Sequence, residues 1–327
     1  MSQIAIMKKE DLRIVFMGTP EFAVPTLDAI VKSGFNVVGV ITAPDRKAGR
    51  GRKITMSAVK EYALKNDIRV LQPLNLKNDE FYNELAGLNP NLQVVVAFRM
   101  LPKKIWSLPE FGTFNLHASL LPQYRGAAPI NFALINGETK TGLTTFFLDE
   151  EIDTGRIIDQ ISVDIDYNDN VGTLHDKLMN MGGEFVLRTI FSIIDGRIQP
   201  RDQNKSIDNL RSAPKLFKED CKINWNSSPD SIYNFVRGLS PYPSAFSNLV
   251  SANGDETTVK IYSTVIISDK EQDLSIGTII TDEKTYLNVV VYSGIIGIEE
   301  LQISGKKRLN IVDFLRGFNN IVDYQFK

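Results

Sequence analysis

The chain has 327 residues, 43% of them hydrophobic and 23% charged, with a formal net charge of −2. That is enough apolar material for two cores, too little positive charge for general nucleic-acid binding, and no run reaches the roughly 18 apolar residues of a membrane span. One cysteine, Cys221, and two histidines, His117 and His175, exclude an internal disulfide and argue against a multi-histidine metal site, so no metal is expected.

Arg13–Met17 is a short β-branched apolar run, read as a buried strand. Thr19 is placed to cap a helix whose first residue is Pro20, with Gly34 closing it. Val37–Ile41 reads as a second strand, Ser57–Asn66 as a helix, and Val70–Gln72 as a short strand. Leu92–Phe98 (LQVVVAF) reads as a predominantly apolar strand, as in a sheet covered on both faces. Thr113–His117 and Thr141–Leu148 read as further strands, Pro129–Ile135 as a helix stopped by Asn136-Gly137, and Thr173–Ile194 as a long helix. This alternation implies an α/β domain with a mainly parallel, Rossmann-like sheet.

The pattern changes near residue 196. Gly196–Lys222 is polar and basic, has no period, and reads as a linker. A helix is expected at Pro229–Gly238. Short strands then follow at Val259–Ile267, Gly277–Thr281, Tyr286–Tyr292 and Gly297–Ile303, and a late helix at Val312–Arg316. Strands of that length with Gly and Asp/Asn turns suit a small OB-like β-barrel. The expected domains are 12–199, a linker at 200–221, and 222–327. Trp225, Tyr242 and Phe246 are expected to be core, Cys221 structural, and His175 a structural residue at a helix start.

The most informative segment is Asn115 to Pro129, NLHASLLPQYRGAAP. Asn115 and His117 are two apart on a strand, so both side chains face the same way. A strand end in an open α/β sheet is where ligands bind. An amide beside an imidazole suits attack on a carbonyl: the NH₂ holds a developing oxyanion, and the ring takes or gives a proton. The second segment, Asp149–Gly155, follows a strand and offers a carboxylate that could orient the imidazole. Taken alone, the first pattern more often describes a satisfied strand-end histidine, and the second a solvated acidic loop.

Together they resemble a known family. Asn115-Leu116-His117 with the distant Asp153-Thr154-Gly155 is similar to the 10-formyltetrahydrofolate-dependent formyltransferases. Ser119-Leu120-Leu121-Pro122 and Arg125-Gly126-Ala127-Ala128-Pro129 resemble the branch acting on methionyl-tRNA. The likeness runs nearly end to end. It takes in Gly18-Thr19-Pro20-Glu21-Phe22, Ala213-Pro214-Lys215-Leu216, Pro241-Tyr242-Pro243 and Gly305-Lys306-Lys307. It implies a Rossmann-like catalytic domain with a C-terminal OB-like barrel. It implies that Asn115, His117 and Asp153 are the catalytic trio, and that Ser119, Leu120, Leu121 and Pro122 help form the folate pocket. One stretch departs from the family: Ala97-Phe98-Arg99-Met100 stands where an Ala-Tyr-Gly type sequence is usual.

Arg46, Lys47, Arg50, Arg52 and Lys53 lie within eight residues, broken by Gly49 and Gly51. Such a loop can follow phosphates, although an isolated basic loop is often only solvated. Here it resembles the family's insertion loop, which enters the acceptor end of the tRNA, and Arg50 matches its key arginine. The resemblance implies formyl transfer from 10-formyltetrahydrofolate to methionyl initiator tRNA by a cytoplasmic monomer without a membrane segment. Three rivals remain: a relative acting on a small amine, a nucleotide-dependent dehydrogenase, and a non-catalytic tRNA-binding module. The dehydrogenase is disfavoured because Gly18-Thr19-Pro20 is not G-x-G-x-x-G.

Overall fold

A computed structural model describes residues 8–48, 53–204 and 209–327. The chain divides into two compact units. One comprises Met1–Gly126, Thr141–Val163 and His175–Arg211; the other comprises Ala127–Lys140, Asp164–Leu174 and Ser212–Lys327.

The first unit is organised by its apolar runs. The strands are β1 (Arg13–Gly18), β2 (Asn36–Ile41), β3 (Arg46–Ala48), β4 (Lys53–Thr55), β5 (Val70–Leu71), β6 (Leu92–Val96), β7 (Thr113–His117), β8 (Lys140–Phe147) and β9 (Ile157–Asp164). Seven of them form one sheet in the order β9-β8-β7-β6-β1-β2-β5. β1 pairs in parallel with β2 and β6, β2 with β5, and β6 with β7; β8 runs antiparallel to β7. β1 and β6 are buried almost throughout, as their mainly hydrophobic sequences favour, with Gln93 the buried polar exception in β6. Phe114 and Phe146 are fully buried beside them. Removing such a ring from water is worth about 1.5–3 kcal/mol.

The order contains a reversal. The chain moves outward from β1 to β2 and β5, then returns to the other side of β1 as β6 and β7. Open sheets bind ligands at the carboxyl edge beside such a switch point. His117 ends β7 on that edge.

The first helix is a correction to the sequence reading. Pro20 is extended, with φ −78° and ψ 173°, so no helix can begin there. A 3₁₀ turn at Glu21–Ala23 comes first, and the α-helix is α1 (Val24–Lys32), with proline in its first turn. Gly34 does close it: φ is +73°, and its N–H donates to the Val31 carbonyl. Helix α2 (Ala58–Lys65) starts where expected, capped by the Ser57 hydroxyl. Helix α3 (Asp79–Gly87) and strand β9 lie outside the expected elements. The helix carries mostly polar residues, and its clearest sequence mark is the Asn78 cap. The long helix starts at Val171, two residues before the expected point.

The second unit holds an antiparallel sheet. Its strands are β10 (Ala245–Ser251), β11 (Glu256–Ser268), β12 (Ile279–Thr281), β13 (Leu287–Val291), β14 (Gly294–Ile303), β15 (Leu309–Asn310) and β16 (Tyr324–Phe326). The order is β12-β13-β14-β11-β10-β16, with β15 beside β14. A bridge between Thr278 and Gln325 joins its two ends, giving the nearly closed barrel the sequence suggests. Closure brings backbones together at Gly277, where φ is +85° and a Cβ would lie 2.2 Å from the Phe326 carbonyl oxygen.

Trp225, Val259, Ile261, Val289, Ile296 and Phe314 lie in its core. Trp225 donates its indole N–H to Ser247 Oγ at 2.8 Å, so its burial leaves no unmet donor. Cys221 is also buried here, and burial pushes its thiol up from the usual range. Tyr242 is a second correction: expected in the core, it is 81% exposed. It occupies the turn between the helix Pro229–Leu239 and β10, where a side chain points outward.

Among the described residues no helix is long and apolar enough to cross a membrane.

Candidate active site

β7 delivers Asn115 and His117 to the sheet's carboxyl edge. Its register fixes their surroundings: Asn115 lies between Val95 and Phe146, and His117 faces Thr144. His117 is 6% exposed, and the Phe146 ring meets the imidazole edge-on at 6.4 Å. Asn115 is half-buried, and no described residue hydrogen-bonds its amide, which leaves both of its hydrogens for a ligand.

The imidazole is held at one nitrogen and faces a carboxylate with the other. Its Nε2 lies 2.9 Å from the Tyr124 carbonyl oxygen. A carbonyl only accepts, so Nε2 carries a proton. Nδ1 is therefore the nitrogen that can take up and release the second proton, and it faces Asp153 Oδ2 at 3.8 Å. That separation is an ion-pair distance, longer than a hydrogen bond. The carboxylate is itself held, since Oδ2 accepts the Gly126 N–H at 2.8 Å.

Two left-handed residues make this possible. Tyr124 has φ +62° and Asp153 has φ +56°, conformations that cost a non-glycine residue about 1–2 kcal/mol. Each is clamped from outside. Tyr124 donates its N–H to the Arg211 carbonyl, and its hydroxyl accepts from Arg211 Nη1 at 3.3 Å. The loop of Asp153 is pinned by Thr154, whose hydroxyl donates to Asp149 Oδ1 at 2.7 Å. Gly155 passes so close to β8 that a Cβ would lie 1.7 Å from the Phe147 carbonyl oxygen. Asp-Thr-Gly thus reads as an orienting carboxylate, a loop staple and a position with no room for a side chain.

Ser119, Leu120, Leu121 and Pro122 follow the histidine directly. Ser119 is fully buried and donates its hydroxyl to the Gln123 carbonyl at 2.7 Å. Thr144 is the hub of this segment: its hydroxyl donates to the Ser119 carbonyl at 2.6 Å and accepts from the Leu121 N–H and from Gln160 Nε2. Gln160 Nε2 also donates to the Leu121 carbonyl. With Ser119 and Leu121 committed internally, Leu120 and Pro122 keep the half-buried apolar side chains that suit a flat heterocycle. Thr144 and Gln160 escape sequence reasoning because nothing near them in the chain marks them, and the Tyr124 carbonyl because a backbone group leaves no trace in side-chain identity.

Arg99, the departure from the family pattern, turns toward the loop after β5. It donates to the Leu74 carbonyl at 3.2 Å and to that of Pro73, with its guanidinium over the Phe98 ring. Burial first, and then the charge of Arg46, lower its pKa from the arginine range.

Of the basic residues, Arg46 lies exposed on β3, which pairs with β4 as an antiparallel hairpin: Arg46 opposite Thr55, Lys47 opposite Ile54, Ala48 opposite Lys53. Arg50 and Arg52 lie outside the described residues. The hairpin's base is anchored through Asp45, which accepts from Lys60 at 2.6 Å and Gln72 at 2.8 Å. Those hydrogen bonds, Lys60 foremost, hold the Asp45 carboxyl below its ordinary range.

Residues 12–190 match the formyl transferase family model, and residues 215–319 match the model of the formyl transferase C-terminal domain. A methionyl-tRNA formyltransferase of Bacteroides thetaiotaomicron is 54% identical over 95% of this chain and 97% of its own length. One of Flavobacterium johnsoniae is 52% identical over 94% and 96%. Among solved structures, the sugar 3N-formyl transferase WlaRD, crystallised with dTDP and 5-N-formyl-THF, has the same fold: TM-score 0.63, 23% identity, 90% of this chain and 99% of that one. HypX of Aquifex aeolicus, solved with tetrahydrofolic acid, gives a TM-score of 0.61 at 15% identity, covering 94% of this chain and 47% of that one. The chain belongs to the formyl transferase family, among its methionyl-tRNA formyltransferases.

Proposed function

We propose that this chain transfers the formyl group of 10-formyltetrahydrofolate to the α-amino group of methionyl initiator tRNA, giving N-formylmethionyl-tRNA for translation initiation. The observation that carries the reading is one corner holding amide, imidazole and carboxylate, in a chain similar to methionyl-tRNA formyltransferases over nearly its whole length.

The chemistry asks little of a nucleophile. An α-amino group with a pKa of about 7.7–8.0 is roughly a tenth to a fifth neutral at pH 7. The enzyme's work is alignment, charge stabilisation and proton movement. Bound folate supplies the formyl group. The Asn115 NH₂ donates to the formyl oxygen as negative charge develops there, a contribution of about 10²–10³ in rate. His117 Nδ1 takes the amine's proton and passes it toward the leaving nitrogen, worth about 10²–10⁴. Asp153, 3.8 Å away, keeps the ring aimed. Leu120 and Pro122 would line the folate ring, with Ser119 and Leu121 holding the segment's shape. Arg46, Lys47, Arg50, Arg52 and Lys53 would contact phosphates at the acceptor end of the tRNA. We further propose that the enzyme acts as a monomer in the cytoplasm.

The test is formyl transfer from 10-formyltetrahydrofolate to methionine-charged initiator tRNA, beside free methionine and uncharged tRNA. Rapid formylation of the charged tRNA alone is expected. Folate binding without transfer to that tRNA would overturn the acceptor and move the search to small amines.

A further inference from the structure

We propose that Gln203 is a positioning residue for formyl transfer, acting on His117 through Asp153; the proposal rests on the functional reading above. Gln203 lies in the polar stretch 196–222, which carries no sequence signal of a site. It is nevertheless 5% exposed, and its side-chain amide makes every hydrogen bond it can make. Oε1 accepts from Arg125 Nε at 3.0 Å and from Arg125 Nη2 at 2.6 Å. Nε2 donates to the carbonyls of Asp153 and Gly155, both at 2.8 Å. The amide orientation follows from its partners, since a guanidinium only donates and a carbonyl only accepts.

One side chain therefore joins Arg125, next to the Tyr124 carbonyl that holds His117 Nε2, to the loop carrying the carboxylate that faces Nδ1. Both partners of the imidazole sit on left-handed residues that need outside support. The segment that brings Gln203 here is fixed to the sheet. Arg201 and Ile157 exchange two backbone hydrogen bonds, at 2.8 and 2.9 Å, and Arg201 Nη2 donates to Gln160 Oε1.

The chemistry also selects glutamine over glutamate. An ionised glutamate could still accept from Arg125, but its second oxygen would face two carbonyl oxygens with no hydrogen to give. It would also neutralise Arg125, which the amide leaves cationic beside the site.

The experiment uses the full chain with Gln203→Ala and the near-isosteric Gln203→Glu, each alone and with Asp153→Asn. For both variants we expect kcat to fall about 10- to 100-fold, with KM for the charged tRNA and affinity for the folate within about threefold of wild type. In the Asp153→Asn background the same changes should cost less than about twofold, because the group they position is gone. The chain has only two histidines, so ¹⁵N imidazole spectra separate His117 from His175. The His117 signals should shift in the Gln203 variants, while those of His175 stay in place. Equal losses in both backgrounds, wild-type turnover in Gln203→Glu, or an unmoved His117 signal would each overturn the proposal. Should Gln203→Ala fail to fold, Gln203→Glu carries the test. The imidazole spectra need no substrate, so a wild-type chain inactive on charged tRNA would sink the functional reading while the His117 signals still decide the positioning role.

Discussion

Two segments follow strands of one sheet and are built in opposite ways. After β7, the corner around His117 is largely buried, and apart from the Asn115 amide its polar groups are tied to neighbours: imidazole to Tyr124, carboxylate to Gly126, Thr144 to three partners. After β2, the basic hairpin is anchored at its base through Asp45; Arg46 is exposed and Ile54 is 70% exposed. The first arrangement would fix the proposed reacting groups before substrate arrives, which is where catalytic rate comes from. The second would present charge to a large polyanion under the proposed function, where reach matters more than fixed geometry. Under the proposed function, turnover would depend on the corner and tRNA affinity on the hairpin.

That division can be broken by experiment. The largest effect is expected from Asn115→Ala: kcat should drop about 10²–10³-fold with folate affinity within a fewfold of wild type. Unchanged turnover would remove Asn115 from the chemistry. In the hairpin, Arg46→Ala combined with Lys47→Ala and Lys53→Ala should raise KM for tRNA and flatten its salt dependence, by about one unit of log–log slope for each phosphate no longer neutralised. Arg50→Ala should likewise lower the tRNA-dependent rate with folate affinity unchanged. Loss of folate binding in that variant would make the loop structural.

The smallest effect belongs to the barrel. Asp282 accepts hydrogen bonds from the backbone of Lys284 and Thr285 and from the Thr285 hydroxyl, and Thr285 chiefly depresses its carboxyl below the ordinary range. A depressed folded value means that this contribution is complete above the unfolded carboxylate range and disappears as pH falls through the folded value. Asp282→Ala should therefore lower Tm slightly at neutral pH, with the difference from wild type vanishing in strong acid and kcat untouched. A difference that grows on acidification would reverse the sign of this argument.

What can be read from the sequence has a physical pattern. Asn115 and His117 are legible because strand alternation puts i and i+2 on one face, and the parallel core is legible because its strands are rich in apolar residues. Gln203 is not, because its segment has no period and its partners lie 78 and about 50 residues away. The Tyr124 carbonyl is not, because a backbone group leaves no trace in side-chain identity. Thr19 offers cap chemistry, but the backbone at Pro20 is extended and the helix begins at Val24. Tyr242 has the size of a core residue, whereas its turn sends it outward. Local rules locate the reacting groups; the contacts that hold them are long-range.

The most direct test is a single-turnover measurement with enzyme in excess over methionine-charged initiator tRNA at saturating 10-formyltetrahydrofolate, comparing wild type, Asn115→Ala and the triple hairpin variant. The account predicts rapid formylation by wild type, a slow chemical step in Asn115→Ala whatever the tRNA concentration, and a near-normal step in the hairpin variant once tRNA is saturating. A hairpin variant that stays slow at saturation, or an Asn115→Ala enzyme rescued by more tRNA, would contradict it.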